Sequence, residues 1–348
     1  MNQYLEERIK QLESLFERLS INGLYLSSRS SAKHFADFHG SSSLILLFEG
    51  ERYFFTDPRY SLQVQHLENL FNVKIVSGSI SGFIKDKFKK GIIGLEGDAV
   101  TLNQYNTLVD EFKKINFVNV SDSLNLLFSI KDSENIFRIK EAIKIAESAY
   151  KSILESDFSG VSEKEAEAKL VYFLRHFGST EEPFNPIVTA GSRSADIHGS
   201  ASSNIIKPGE NILYDFGAVF KGLCCDVTRN IKYFENDEYF KVHEIIELAV
   251  NSAEKLIKPG IKTAEIDKAV REVFREYEFE NYFNHSTGHG FGYEVHQIPR
   301  ISIKSDEILR TGQTITIEPG IYLPGKFGIR IENNYLITDN GFEKLTNF

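Results

Sequence analysis

Three of the chain's nine histidines fall within twelve residues, in the run His285-Ser286-Thr287-Gly288-His289-Gly290-Phe291-Gly292-Tyr293-Glu294-Val295-His296. Carboxylates flank this run in two pairs, Asp215 with Asp226 before it and Glu318 with Glu332 after it. The first pair sits in Tyr214-Asp215-Phe216-Gly217 and Cys225-Asp226-Val227-Thr228-Arg229, apolar segments that read as two strands joined through Phe220-Lys221-Gly222. Folding there brings Asp215 and Asp226 within a rung or two of each other. An unpaired charge in such surroundings is costly, so each needs a cation or a structural partner such as Arg229 or Lys221. The second pair is centred on Gly325, within the turn signal Pro324-Gly325, so Glu318 and Glu332 face each other across a hairpin. Like charges so placed repel. Two such pairs in one domain are hard to explain without cations.

The histidine run supplies nitrogen. Glycines at 288, 290 and 292 let the backbone run close to a site and leave substrate room, which makes His289 the candidate ligand. His285 and His296 are then groups that support the site or contact substrate. The spacing of His285 and His289 equals that of helical zinc-peptidase motifs, but no Glu follows His285 and the glycines break a helix. Four carboxylates and one imidazole form an oxygen-rich set that favours Mn²⁺, with Co²⁺ or Zn²⁺ as alternatives. Two divalent metal ions about 3.5–4 Å apart would clamp and activate a water, giving hydrolysis of an amide or ester.

The elements that must hold these residues can be read in outline. Leu5, Ile9, Leu12, Phe16 and Leu19 recur at helical spacing, with Gly23 placed to stop the helix. Short strand-like runs follow at Leu24–Leu26, Ser43–Phe48, Tyr53–Thr56, Val73–Val76, Gly91–Leu95 and Phe117–Val120, alternating later with helices near 80–90 and 101–114. This predicts a small α/β domain over residues 1–130. A long helix then carries the stripe Ile136, Ile139, Ile143, Ala146, Tyr150 and Ile153, and Ser162 with Glu165 forms a capping box for the next. Helices near 236–257 and 263–277 are mixed with strands at Asn211–Val219, Leu223–Tyr233, Gln313–Glu318 and Gly328–Thr338. The predicted second domain, 131–348, is therefore α+β. No fixed-period repeat of the solenoid kind is present.

Composition narrows the class. At 348 residues with 41% hydrophobic and 26% charged residues the chain is an ordinary globular one. The net charge of −9 lies almost wholly beyond residue 130, which argues against a nucleic-acid partner. Cys224 and Cys225 are adjacent and cannot build a disulfide framework, so strand packing and a reducing compartment are expected. The charged, amphipathic start and the lack of any span-length apolar stretch predict a cytoplasmic protein with no membrane partner.

In order and context, Asp215, Asp226, His289, Glu318 and Glu332 resemble the ligand set of the pita-bread metallopeptidases (family M24). Ile317-Glu318-Pro319-Gly320-Ile321-Tyr322 and Gly292-Tyr293-Glu294-Val295-His296 are close to its Xaa-Pro branch, aminopeptidase P and prolidase. The resemblance covers residues 133–348 well and extends more loosely over the first 130. It implies a pita-bread catalytic domain behind a smaller amino-terminal domain that serves substrate access and dimerisation. Asp215 would bind one metal, His289 and Glu318 the other, with Asp226 and Glu332 bridging and Glu318 moving the proton. His198 would line the substrate side, His296 would meet the scissile carbonyl or its oxyanion, and His285 and Arg330 would position substrate and carboxylates. His39-Gly40 falls where this domain of relatives can reach a partner subunit's site. The implied activity is an Xaa-Pro aminopeptidase acting on proline-containing peptides as a homodimer, with prolidase as the alternative. A creatinase-like hydrolase or a non-catalytic binding protein on the same fold are further alternatives, although such creatinase-like relatives have lost metal ligands that are all present here.

Overall fold

The computed structural model describes residues 2–48, 50–78, 80–231 and 236–348 and divides into two compact units, one ending at Phe128 and one starting at Ser129. The first unit is built on a six-stranded mixed sheet in the order Asn72–Ile75, Glu51–Thr56, Leu44–Phe48, Gly23–Leu26, Gly91–Leu95, Ile115–Asn119. Leu44–Phe48 is buried at all five positions, as a strand covered on both faces must be. Gly23 does not end the first helical region. That region stops at Ser20, which takes a left-handed φ of 52°. Gly23 instead opens a strand, where a Cβ would lie 2.9 Å from Leu47 O. The helix Arg29–Ala36 has no counterpart among the expected elements. Its start depends on Glu96, distant in sequence, which accepts from Ser27 N, Ser28 N and the hydroxyls of Ser28 and Ser31. His39 is on the surface of this unit, 3.4 Å from Asp37.

The second unit is α+β. Helices Ser133–Leu154 and Glu163–His176 precede the strands Ile187–Ala190, Ile212–Phe216 and Val227–Ile231, which form one antiparallel sheet. Asp132 caps the first of these helices, and Ser162 and Glu165 close the expected capping box on the second. The expected strand Leu223–Tyr233 is interrupted at Cys225-Asp226, and Tyr233 lies outside the described residues. Helices Asp237–Glu254 and Thr263–Glu276 then pack Val242, Ile246, Ala249, Ile266, Val270 and Phe274 against Ile315, Ile317, Ile329 and Tyr335. Those last residues belong to a five-stranded sheet (Gln297–Ile301, Gly288–Gly290, Thr314–Ile317, Asn333–Thr338, Gly341–Lys344) and its hairpin extension, Gly320–Leu323 with Phe327–Arg330.

The two halves of this unit repeat one plan. Gly209-Glu210-Asn211-Ile212-Leu213-Tyr214-Asp215-Phe216-Gly217 and Gly312-Gln313-Thr314-Ile315-Thr316-Ile317-Glu318-Pro319-Gly320 share glycines and a carboxylate at matching positions, 103 residues apart. Gly209 and Gly312 take φ of 82° and 86°. Each half also joins the residue before its second helix to a later isoleucine by an isolated antiparallel bridge, Ser162 to Ile205 and Lys262 to Ile308. The repetition escapes a fixed-period reading because it occurs only twice and few identities survive.

Candidate metal centre

Strand register explains how the carboxylates meet. Asp215 is opposite Thr228 and Phe216 opposite Val227, so Asp226 follows two rungs from Asp215. Lys221 and Gly222 turn that ribbon with positive φ, 46° and 81°, as a two-residue hairpin loop requires. In the second ribbon Gly320 pairs with Arg330 and Ile317 with Asn333, which sets Glu318 and Glu332 opposite each other. There the ribbon splits. Glu318 N donates to Thr287 O at 2.8 Å, and Glu332 N donates to Thr228 O at 3.3 Å. One strand is thereby joined to the histidine run and the other to the Asp215–Asp226 ribbon.

His289 lies in the strand Gly288–Gly290. A Cβ on Gly288 would sit 2.0 Å from Thr316 O, and one on Gly290 2.1 Å from Ile298 O. These glycines therefore make room for neighbouring backbone, which corrects the expectation that they clear space for substrate. His289 Nδ1 donates to Gly290 O at 3.1 Å, leaving Nε2 unprotonated in the neutral ring. That nitrogen faces Glu318 Oε1 at 3.4 Å and Asp226 Oδ2 at 3.7 Å. Donor atoms of Asp226, His289 and Glu332 all lie within 4.8 Å of one another.

A lone pair facing carboxylate oxygens is unfavourable unless a metal cation or a carboxyl proton lies between them. Asp215 Oδ1, Asp226 Oδ1 and Glu332 Oε1 are also buried without a hydrogen-bond partner. Burial and mutual repulsion hold Asp226 and Glu332 well above the usual carboxylate range, and burial pushes Glu318 up to about 8. Burial lowers His289 to about 4, so it stays neutral, as ligation demands. The donor set fits divalent cations.

Arg330 is buried and donates to Asp215 Oδ2 at 2.5 Å, to the Tyr322 hydroxyl at 2.7 Å and to Thr228 Oγ1 at 2.9 Å. Thr228 in turn donates to Glu332 at 2.8 Å. The Tyr322 hydroxyl, having accepted from Arg330, donates to His285 Nε2 at 2.9 Å, while His285 Nδ1 donates to Ser286 O. Burial and the Arg330 charge lower His285 to about 3, consistent with a neutral ring fixed in that tautomer. Thr228 and Tyr322 carry no assignment from sequence, although both stand in the quoted motifs. Neither Arg229 nor Lys221 pairs with the aspartates. Arg229 binds the carbonyls of Thr228, Glu332 and Phe348, and the partner of Asp215 is Arg330. Cys224 and Cys225 are buried thiols, not joined in a disulfide, and immediately precede Asp226.

The ligands grade from buried Asp226, His289 and Glu332 to the more open Asp215 and Glu318. His296 is exposed, its ring 4.4 Å from that of His289 and edge-on to it. Its pKa is lowered, first by partial burial of the ring and further by the His198 charge, against the opposing effect of Asp215. His198 is exposed too, and its charge also bears on His285. The structure thus gathers Asp215, Asp226, His285, His289, His296, Glu318, Arg330 and Glu332 around one carboxylate cluster, with His198 near enough for its charge to act on His285 and His296.

Chelated protein should lose stability with rising pH. The Glu318 carboxyl holds its proton more tightly folded than unfolded, so its contribution is full below about 4.5 and lost as pH rises through about 8. Thermal melts of wild type and Glu318→Gln in chelator, from pH 5 to 9, read this as a gap in favour of the variant that widens with pH, because the amide stands in for the protonated carboxyl. A flat difference would contradict the clustering.

Comparison with known proteins bears directly on this arrangement. Residues 138–339 match metallopeptidase family M24, and residues 8–127 match the creatinase/prolidase N-terminal domain. The chain is 32% identical to the Xaa-Pro dipeptidase of Pyrococcus horikoshii, over 98% of this chain and 97% of that protein. It is similar in structure to the X-Pro aminopeptidase from Thermotoga maritima, with 36% identity, 95% of this chain and 97% of that one covered, and a TM-score of 0.89. It is similar also to the Xaa-Pro dipeptidase from Bacillus anthracis, with 34% identity, coverage of 99% and 98%, and a TM-score of 0.93. Because the M24 match runs through both carboxylate ribbons and the histidine strand between them, behind a matched N-terminal domain, the chain belongs to the Xaa-Pro branch of metallopeptidase family M24 and has its two-domain pita-bread fold.

Proposed function

We propose that this peptidase cleaves the Xaa-Pro bond at the N-terminus of peptides longer than two residues, as an Xaa-Pro aminopeptidase. The observation that carries the choice is the state of Arg330. A dipeptidase needs a cation for the carboxylate of its proline, and Arg330 is buried and committed to Asp215, Tyr322 and Thr228, so that carboxylate would have to be met by Arg300, exposed and opposite His289 in the neighbouring strand. Similarity to Xaa-Pro dipeptidases supports prolidase as the second reading.

Two divalent cations, Mn²⁺ before Co²⁺ or Zn²⁺ for so oxygen-rich a set, supply Lewis acidity that polarises a carbonyl and lowers the pKa of water. Asp215 would hold one, His289 and Glu318 the other, and Asp226 and Glu332 would be shared. Glu318 Oε1 faces His289, which leaves Oε2 to take a proton and pass it to the leaving amine. His296, exposed beside His289, donates to the scissile carbonyl as it becomes an oxyanion. His198 contacts the substrate from the rim, and His285, fixed by Tyr322, forms a wall beside it. We read the enzyme as a cytoplasmic homodimer acting on peptides and not on nucleic acids. The dimer rests on the family resemblance. Among the described residues no helix is long and apolar enough to cross a membrane.

Turnover of Xaa-Pro and Xaa-Pro-Yaa by Mn²⁺-loaded protein tests the proposal. Hydrolysis of the tripeptide at least as efficient as that of the dipeptide is expected. Activity confined to the dipeptide would transfer the assignment to prolidase.

A further inference from the structure

Glu163 is fully buried at the start of helix Glu163–His176 but is not one of the metal-centre carboxylates. Its oxygens accept from Ala190 N at 3.0 Å, Ser202 N at 3.0 Å, Ser202 Oγ at 2.8 Å, Asn204 Nδ2 at 3.1 Å and Arg193 Nε at 3.1 Å. Every partner is a donor, so the position demands a group that only accepts. The partners come from both ends of segment 190–204, and His198 lies between them. Arg193 also donates to Ser200 O at 2.9 Å, two residues past His198. On its other side the segment is docked on the second ribbon. The buried Ser194 hydroxyl accepts from Gly328 N at 2.8 Å, and a Cβ on Gly328 would meet Ser194 O at 2.0 Å. Gly328 precedes Arg330 by two residues in the same strand.

The other half of the unit repeats the device. Asp267, fully buried on helix Thr263–Glu276, accepts from Thr287 N and Oγ1 and from Arg271 Nε. Arg271 also donates to His285 O at 2.7 Å. In each half, then, a buried carboxylate on the second helix and its arginine grip the backbone beside a histidine that faces substrate.

We propose that Glu163 and Arg193 are positioning residues for His198, holding segment 190–204 so that its imidazole is pre-placed for the peptide. The proposal rests on the reading of His198 as a substrate contact. The test is a double-mutant cycle on the full-length Mn²⁺-loaded enzyme with an Xaa-Pro-Yaa tripeptide. Glu163→Gln sets an amide NH₂ against donors. Arg193→Leu alters a partly exposed side chain and carries the test if Glu163→Gln does not fold. His198→Ala alone should raise KM up to about 10-fold, the loss of one substrate hydrogen bond. Arg193→Leu should approach that loss with metal content unchanged, speed amide exchange at residues 196–201, and add less than about 2-fold in the His198→Ala background. Losses that multiply across the two backgrounds, or an unchanged KM in Arg193→Leu, would overturn the positioning role while leaving His198 a substrate contact. A silent His198→Ala would overturn that reading and the proposal with it.

Discussion

Asp226→Asn is expected to cut Xaa-Pro hydrolysis by about 10³-fold or more while leaving the chelated protein as stable as wild type, or more so. The opposite signs follow from where the charge sits. Asp226 is buried, Oδ1 has no partner, and Oδ2 faces the unprotonated nitrogen of His289 at 3.7 Å. Its contacts with Asn334 run through the backbone, the amide donating to Asn334 Oδ1 and the carbonyl accepting from Asn334 Nδ2. Asparagine keeps the volume and those contacts. It removes one negative charge from a cluster in which Glu332, Asp215 and Glu318 already raise the carboxyl that burial has raised first. Without cations that change relieves repulsion, and with them it deletes a ligand. Metal content, and Tm with chelator and with Mn²⁺, should separate the two. Wild type gains stability from Mn²⁺ by mass action, and the variant gains much less. Full activity in Asp226→Asn, or a fall of several degrees in its chelated Tm, would refute the dinuclear reading.

The second large effect is expected at Arg330. Arg330→Met removes three hydrogen bonds from a side chain that is 3% exposed, to Asp215, Tyr322 and Thr228. Breaking one side of a buried ion pair costs about 3–5 kcal/mol, which for a unit of this size lowers Tm by about 10 °C. Activity should fall about 10²-fold even where the fold survives. Tyr322 then has no donor to hold its hydroxyl toward His285, and Thr228 loses one of the groups that orient it toward Glu332. Arg330→Lys should recover little, because one ammonium cannot direct donors along the three lines a guanidinium reaches. A lysine variant with near-wild-type activity would show that Arg330 contributes charge alone.

How legible each part was depended on sequence distance. The turn at Pro324-Gly325 and the register it sets are local, and so are the caps Asp132 and Ser162 with Glu165. The expected helices near 236–257 and 263–277 fall within a few residues of the ends of Asp237–Glu254 and Thr263–Glu276, and the stripe from Ile136 to Ile153 lies inside Ser133–Leu154. Helix Arg29–Ala36 has a local cap, the Ser28 hydroxyl accepting from Ser31 N, but the group that holds this cap in place, Glu96, lies more than sixty residues on. The roles of Gly288 and Gly290 were misjudged for the same reason, since what fills the space beside them is backbone of Thr316 and Ile298. Thr228, Tyr322 and Glu163 are ordinary residues in their own segments, and only their partners make them part of the site.

By itself the sequence determined which donor types are available, their order, and the ribbons that carry them, because turn chemistry and alternation act over a few residues. Tertiary structure alone decided that the two ribbons and the histidine strand converge. The contacts that bring them together, Glu318 N to Thr287 O and Glu332 N to Thr228 O, join segments 31 and 104 residues apart in the numbering. It also decided which imidazole nitrogen faces the carboxylates, which oxygens are left bare, and how far burial moves each proton. Those properties belong to the enclosed space between elements, and no spacing along the chain encodes them directly.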